Sequence, residues 1–291
     1  MIPIIKYGID EMKRVYGRTQ LGNAEFSGAV AEIIANVRKD GDKALFDYAK
    51  KFDKADVNAE NLLVTEEEIK AAYASVDDKL IESLRRAKEN ILSYHAKQRD
   101  KYKNEFFKGG EKGKSTLGWI YRPLSRVGLY VPGGKASCPS TVLMTALPAV
   151  AAGGGEIVVA TPNIKNPLIL VACAECGVKK IYKVGGAQAV AALAYGTESV
   201  ERVDLIAGPG NVFVTLAKKQ VFGDVAVDMI AGPSEILVIA DETADPELVA
   251  ADMLSQAEHD ELAASILVTT SEKLAEEVQK QTIEQANMLP R

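Results

Sequence analysis

Gln256 and His259 are the residues of this chain whose types and spacing come nearest to a metal site. They stand at i and i+3 in Ser255-Gln256-Ala257-Glu258-His259-Asp260, so on a helix both project from one face. An imidazole nitrogen is a good zinc donor, and an amide oxygen a weaker, harder one. Zinc takes about four ligands, so the pair is at most half a site. From spacing alone a solvated helix end is the simpler reading, and Glu258 and Asp260 read equally as solvated charges. The other histidine, His95, follows Tyr94 late in a long helical pattern, where a packed or hydrogen-bonded structural role is expected. Cys173 and Cys176 lie in an apolar helical pattern with no second Cys-x-x-Cys, which reads as two buried thiols. Cys138 precedes Pro139 just before a helix, a place that can activate a thiol, but no histidine is near it in sequence.

A second signal is a series of Gly-rich turns. They are Val131-Pro132-Gly133-Gly134-Lys135, Val184-Gly185-Gly186-Ala187-Gln188, Ala207-Gly208-Pro209-Gly210-Asn211 and Ala231-Gly232-Pro233-Ser234. Glycine is the default residue of any tight strand-to-helix turn, so one such turn means little. Four after successive strands point to a ligand at the carboxyl ends of a parallel sheet, where backbone N–H groups and helix N-termini favour anions. None is the dinucleotide pattern G-x-G-x-x-G, and there is no P-loop. Gln188 and Asn211 sit just past their turns, where an amide can meet a ligand or cap the helix; for Asn211 capping is the expected role.

The elements that must hold these turns follow from periodicity. Residues 1 to about 115 read as helical and charged, with apolar spacing over 29–38, 43–52 and 80–98. Thr65-Glu66-Glu67-Glu68 is a capping-box pattern. From Trp119 onward strand patterns at 127–131, 156–160, 180–184, 205–207 and 225–228 alternate with helical ones at 140–152, 166–176, 187–194 and 211–220. That alternation predicts a mostly parallel sheet with helices on its faces. Beyond Ser234, strands at 235–239 and 264–269 alternate with helices at 245–258 and 271–286.

Composition narrows the function classes. The chain has 291 residues, 47% hydrophobic and 26% charged, enough for a real core in one or two domains. A net charge of −5 and no basic cluster with interleaved aromatics argue against a nucleic-acid partner. Three cysteines do not make a disulfide framework and fit a reducing, cytoplasmic setting. No secretory signal is visible at the N-terminus. The uncharged stretch 136–155 approaches the length of a membrane span, but Pro139, Pro148 and Gly153-Gly154-Gly155 make it a buried helix plus a turn. No membrane partner is expected.

Taken together, the motifs are more specific than their parts. Arg126-Val127-Gly128-Leu129-Tyr130-Val131-Pro132-Gly133-Gly134 and Pro139-Ser140-Thr141-Val142-Leu143-Met144 resemble the histidinol dehydrogenase family. So do Val184-Gly185-Gly186-Ala187-Gln188-Ala189, Gly208-Pro209-Gly210-Asn211, Ala231-Gly232-Pro233-Ser234-Glu235 and Ser255-Gln256-Ala257-Glu258-His259, in order and spacing. The resemblance covers essentially the whole chain. It implies NAD-dependent, zinc-dependent oxidation of L-histidinol to L-histidine through the aldehyde, in histidine biosynthesis. It assigns Tyr130, Gln188 and Asn211 to NAD, and Ser234, Gln256 and His259 to the substrate, with Gln256 and His259 also zinc ligands. It implies an α/β fold of two Rossmann-like domains, the second inserted into the first, with a helical N-terminal region. The expected division is a 1–25 tail that helps form a homodimer, a first domain of 26–126 plus 234–291, and an inserted domain of 127–233. The family's catalytic Glu–His pair, and an Asp and a His that complete the zinc set, are expected beyond Arg291. On that expectation this chain alone has no catalytic base. The competing expectation is a non-catalytic dinucleotide-binding fragment or module.

Overall fold

The computed structural model describes residues 2–6, 8, 10, 12–13, 23–109, 113–133, 139–162, 164–231, 234–258 and 263–289. His259, Cys138 and most of the expected 1–25 tail lie outside the described residues. The chain divides into two compact units, Gly22–Ile230 and Met1–Leu21 with Ala231–Arg291.

The larger unit begins with helices. α1 (Asn23–Tyr48) is interrupted at Gly41 and runs into a π-helical turn, Ala49–Asp53. α2 (Glu66–Ser75) starts at Thr65, whose side chain accepts from the Glu68 N–H while the Glu68 carboxylate accepts from the Thr65 N–H. That reciprocal cap is the one expected from the sequence, and such caps stabilise by about 1 kcal/mol. α3 (Asp78–Arg99) is capped by Asp77. The chain then forms an antiparallel hairpin, β1 (Glu105–Gly109) and β2 (Ser115–Trp119), at the end of the region read as helical, where no strand was expected. Both strands are almost wholly exposed, so no apolar alternation marks them in the sequence.

Five parallel strands follow: β3 (Arg126–Tyr130), β4 (Glu156–Ala160), β5 (Lys180–Tyr182), β6 (Leu205–Ala207) and β7 (Ala226–Val227). Their order is β5-β4-β3-β6-β7. The connecting helices are α4 (Pro139–Ala151), α5 (Pro167–Glu175), α6 (Gly186–Tyr195) and α7 (Val212–Val221). Strand side chains alternate between two cores, as the pleat requires. Val127, Leu129, Val159 and Ile181 join α2 to α5 on one face; Tyr130, Val158, Ala160 and Tyr182 join α1, α6 and α7 on the other. Both faces are therefore covered, as an all-parallel sheet needs. Within the uncharged stretch at 136–155, residues 139–151 form helix α4, followed by a turn; among the described residues no helix is long and apolar enough to cross a membrane.

The apolar faces of α1, α2 and α3 are consumed against the five-stranded sheet's own helices. Glu175 at the end of α5 fastens this packing, accepting from the Tyr73 hydroxyl at 2.9 Å and from Arg85 at 2.9 Å.

The smaller unit contains the parallel pair β8 (Glu235–Ala240) and β9 (Ala264–Thr269), with α8 (Pro246–Ala257) and α9 (Glu272–Ala286). Val249, Ala250, Met253, Leu274 and Val278 bury against one side of the pair. Leu237, Ile239 and Val268 are exposed.

Candidate functional site

In the larger unit the end of β3 and the turns after β5 and β6 lie at the carboxyl end of the one parallel sheet, β3 beside β6 and β5 separated from β3 by β4. Tyr130 ends β3, and its buried hydroxyl accepts from the Gly186 N–H at 3.0 Å. Burial pushes this phenol up to about 12, with the Gly186 N–H opposing and the nearby Asp53 carboxylate adding to the shift. Gly186 opens α6 at φ +64, and a Cβ there would lie 2.6 Å from Gln188 Oε1. The left-handed backbone therefore calls for glycine here, and a Cβ would press on the Gln188 amide.

Gln188 is 1% exposed. Its Nε2 donates to Asp53 Oδ2 at 3.2 Å, and the same oxygen accepts from the Gly185 N–H at 3.1 Å. Asp53 is half-buried, and desolvation pushes its carboxyl up, against the pull of the Gly185 N–H and the Gln188 amide. A carboxylate from the N-terminal helical region therefore occupies the N-terminal end of α6, where the orphan amides and the dipole favour negative charge. No pattern in the sequence pointed to Asp53, which follows an ordinary amphipathic stretch.

The turn after β6 is held differently. Gly208 has φ +119, and a Cβ on it would meet the Tyr130 carbonyl oxygen at 2.2 Å. Its N–H donates to Asp228 Oδ2 at 2.8 Å, and its carbonyl accepts from Lys218 Nζ at 2.9 Å. Lys218, 3% exposed, is ion-paired to Asp228, so one salt bridge grips both sides of the Gly208 residue. Asn211 caps α7, its Oδ1 accepting from the Phe213 and Val214 N–H groups at 3.1 and 3.2 Å. That is the capping role expected for it.

The structure thus puts Tyr130 and Gln188 around one turn, with Asn211 on the adjoining turn. α6 and α7 lie on the same face of the sheet. All three side chains are hydrogen-bonded inside the protein, so here they shape the turns.

In the smaller unit Ser234 is exposed just ahead of β8, and Gln256 is in the last turn of α8. Gln256 Nε2 is buried without a hydrogen-bond partner. An orphaned buried amide costs about 1–3 kcal/mol and is a natural place for a ligand to be received. Turning the amide over would present Oε1, the atom a metal would take. The full zinc set does not assemble among the described residues, which contain no group of three His, Cys, Asp or Glu side chains able to hold a metal. His95 has the structural role expected, its Nδ1 sharing a 2.6 Å hydrogen bond with Gln98 Oε1 and its ring edge-on to Tyr94. Cys173 and Cys176 are buried thiols, as expected, and burial pushes both up.

Comparison with known proteins names this arrangement. The family model described as histidinol dehydrogenase matches residues 17–291. The histidinol dehydrogenase of Caldanaerobacter subterraneus subsp. tengcongensis is 51% identical over 281 residues, 96% of this chain and 64% of that protein. That of Lactococcus lactis subsp. lactis is 51% identical over 283 residues, 96% of this chain and 65% of that protein. A crystal structure of histidinol dehydrogenase from Elizabethkingia anophelis superposes with a TM-score of 0.86 at 41% identity, over 99% of this chain and 66% of that one. The chain spans 64–65% of the length of these two curated relatives. Every turn and motif considered above lies inside the matched span, and the chain belongs to the histidinol dehydrogenase family.

Proposed function

We propose that these 291 residues supply the cofactor and substrate positions of a histidinol dehydrogenase, an activity that oxidises L-histidinol to L-histidine through L-histidinal with NAD as acceptor. The observation that carries this is the family match over residues 17–291, which takes in Tyr130, Gln188, Asn211, Ser234, Gln256 and His259. The parallel sheet is read as a Rossmann-like domain of residues 127–233, inserted into a first domain of 26–126 plus 234–291. NAD is assigned to the turns after β3, β5 and β6, where Tyr130, Gln188 and Asn211 fix the backbone that faces the cofactor. The Gly turns permit close approach of a dinucleotide backbone, which supports the assignment.

Ser234, Gln256 and His259 are assigned to the substrate, and the last two to zinc. The orphaned Gln256 amide supports a ligand at that point. Bound zinc would hold the amine and imidazole of histidinol, and NAD would accept hydride from its carbinol carbon. The chain's own part is position, because orientation of a bound alcohol supplies much of such a rate. Homodimer assembly and a cytoplasmic setting belong to the same reading, the latter supported by sparse cysteines among which Cys173 and Cys176 are free thiols.

The second reading is a dinucleotide-binding module without turnover. It is favoured by a content of two histidines, one of them His95 in its structural role. Calorimetry with NAD on the 291-residue chain tests what both readings share. Binding that is lost in Gly208→Val is expected. Failure of the unaltered chain to bind NAD would remove both.

A further inference from the structure

We propose that Asp53 is a positioning residue of the dinucleotide site, acting through Gln188 and the Gly185–Gly186 turn. The inference rests on the assignment of that turn to NAD. Asp53 comes from the π-helical turn at the end of α1, and the turn it serves lies 132 residues on. One oxygen, Oδ2, accepts both the Gly185 N–H and the Gln188 Nε2. Those two bonds decide two things at once. The first fixes the backbone just before Gly186, whose own N–H is held by Tyr130. The second decides which way the Gln188 amide faces: with Nε2 spent on Asp53, Oε1 lies over Gly186.

The energetics explain why a carboxylate does this work. A half-buried charge is costly unless its acceptors are used, and desolvation is the largest influence on this carboxyl. Two N–H donors and the positive end of a ten-residue helix offset that cost in part. A neutral acceptor in the same place would make weaker bonds and leave the amide of Gln188 free to turn over. Asp53 also fills the helix end that a phosphate would otherwise seek. At this turn the dinucleotide therefore meets a preset Gln188 face.

The test is a double-mutant cycle on the 291-residue chain, reading NAD affinity by calorimetry well below the thermal midpoint. Asp53→Ala should weaken NAD binding by about tenfold, the scale seen when a supporting hydrogen-bond partner is removed. Asp53→Asn, which keeps one neutral acceptor in place, should recover only a small part of that loss while guarding against a folding failure in the alanine variant. Gln188→Ala should weaken binding to a similar degree. In the Gln188→Ala background, Asp53→Ala should add no more than about twofold, because its route to the ligand is gone. Additive losses in the double variant would overturn the proposal, and so would unchanged or tighter binding in Asp53→Ala. Absence of NAD binding by the unaltered chain would instead overturn the cofactor assignment, and this inference with it.

Discussion

Lys218 shows at the residue scale how a buried charge can serve a ligand turn. Val214, Ala217 and Val221 are fully buried at i, i+3 and i+7 of α7, and Lys218 sits among them at i+4. A lysine on an apolar stripe must find partners for its ammonium or lose its charge. Here it finds Asp228 and the Gly208 carbonyl, so the cost of burying it is turned into a fixed turn. Removing one member of a buried pair leaves the other uncompensated, at a typical cost of about 3 kcal/mol or more. Lys218→Met should therefore lower the thermal midpoint clearly, and Lys218→Met with Asp228→Asn should recover part of the loss. A double variant worse than the sum of the singles would refute the pairing. The stripe position of Lys218 was legible in the sequence; its partner was not, because Asp228 is ten residues away across a helix-to-strand connection. Asp53 was less legible still. Its partners Gly185 and Gln188 lie more than 130 residues on, and no local pattern encodes that meeting.

Elements fare better than residues, because their patterns are local. α4, α5, α6 and α7 and the five parallel strands fall within a residue or two of their periodic patterns, since each helix shows a continuous apolar face and each strand is an apolar run between turns. The β1–β2 hairpin was missed because its Phe106, Phe107, Leu117 and Trp119 are all exposed and leave no burial period. The sheet has a second, electrostatic device that periodicity does not report. At the amino ends of β3, β4 and β5, Arg126, Lys180, Glu156 and Glu201 form a closed ring of ion pairs. Hydrogen bonds from Arg126 and then Lys180 hold the Glu156 carboxyl below its usual 4.5. A carboxyl depressed on folding contributes stability above the unfolded value, and that contribution is lost as pH falls through the folded value. Glu156→Gln should therefore lower the thermal midpoint at pH 7 by more than it does near pH 3. The partners are substantially solvated, so the effect is modest and shrinks with added salt. An equal gap between the two proteins at both pH values would show that the ring contributes nothing through ionisation.

At the scale of the whole molecule, the decisive question is what these 291 residues can do together. Removing hydride from an alcohol requires the hydroxyl proton to leave in step, and a positioned general base contributes about 10²–10⁴-fold. Taking the aldehyde on to the acid needs water activated at the same place. Within the chain the two imidazoles are otherwise committed. His95 is bonded to Gln98 in the larger unit, and His259 is assigned to metal. Pairing two identical chains adds no further residue type, so a homodimer does not change the outcome. The expected result is that this chain binds NAD but forms no NADH from histidinol above the uncatalysed level, with zinc supplied. The Lactococcus lactis relative, 51% identical over 283 residues, is the proper comparison in the same assay. Zinc should bind this chain weakly, because the proposed ligands Gln256 and His259 would supply two donors of about four. Turnover matching that of the relative would refute the prediction, and loss of that turnover in His95→Ala would identify the residue held structural here as the base.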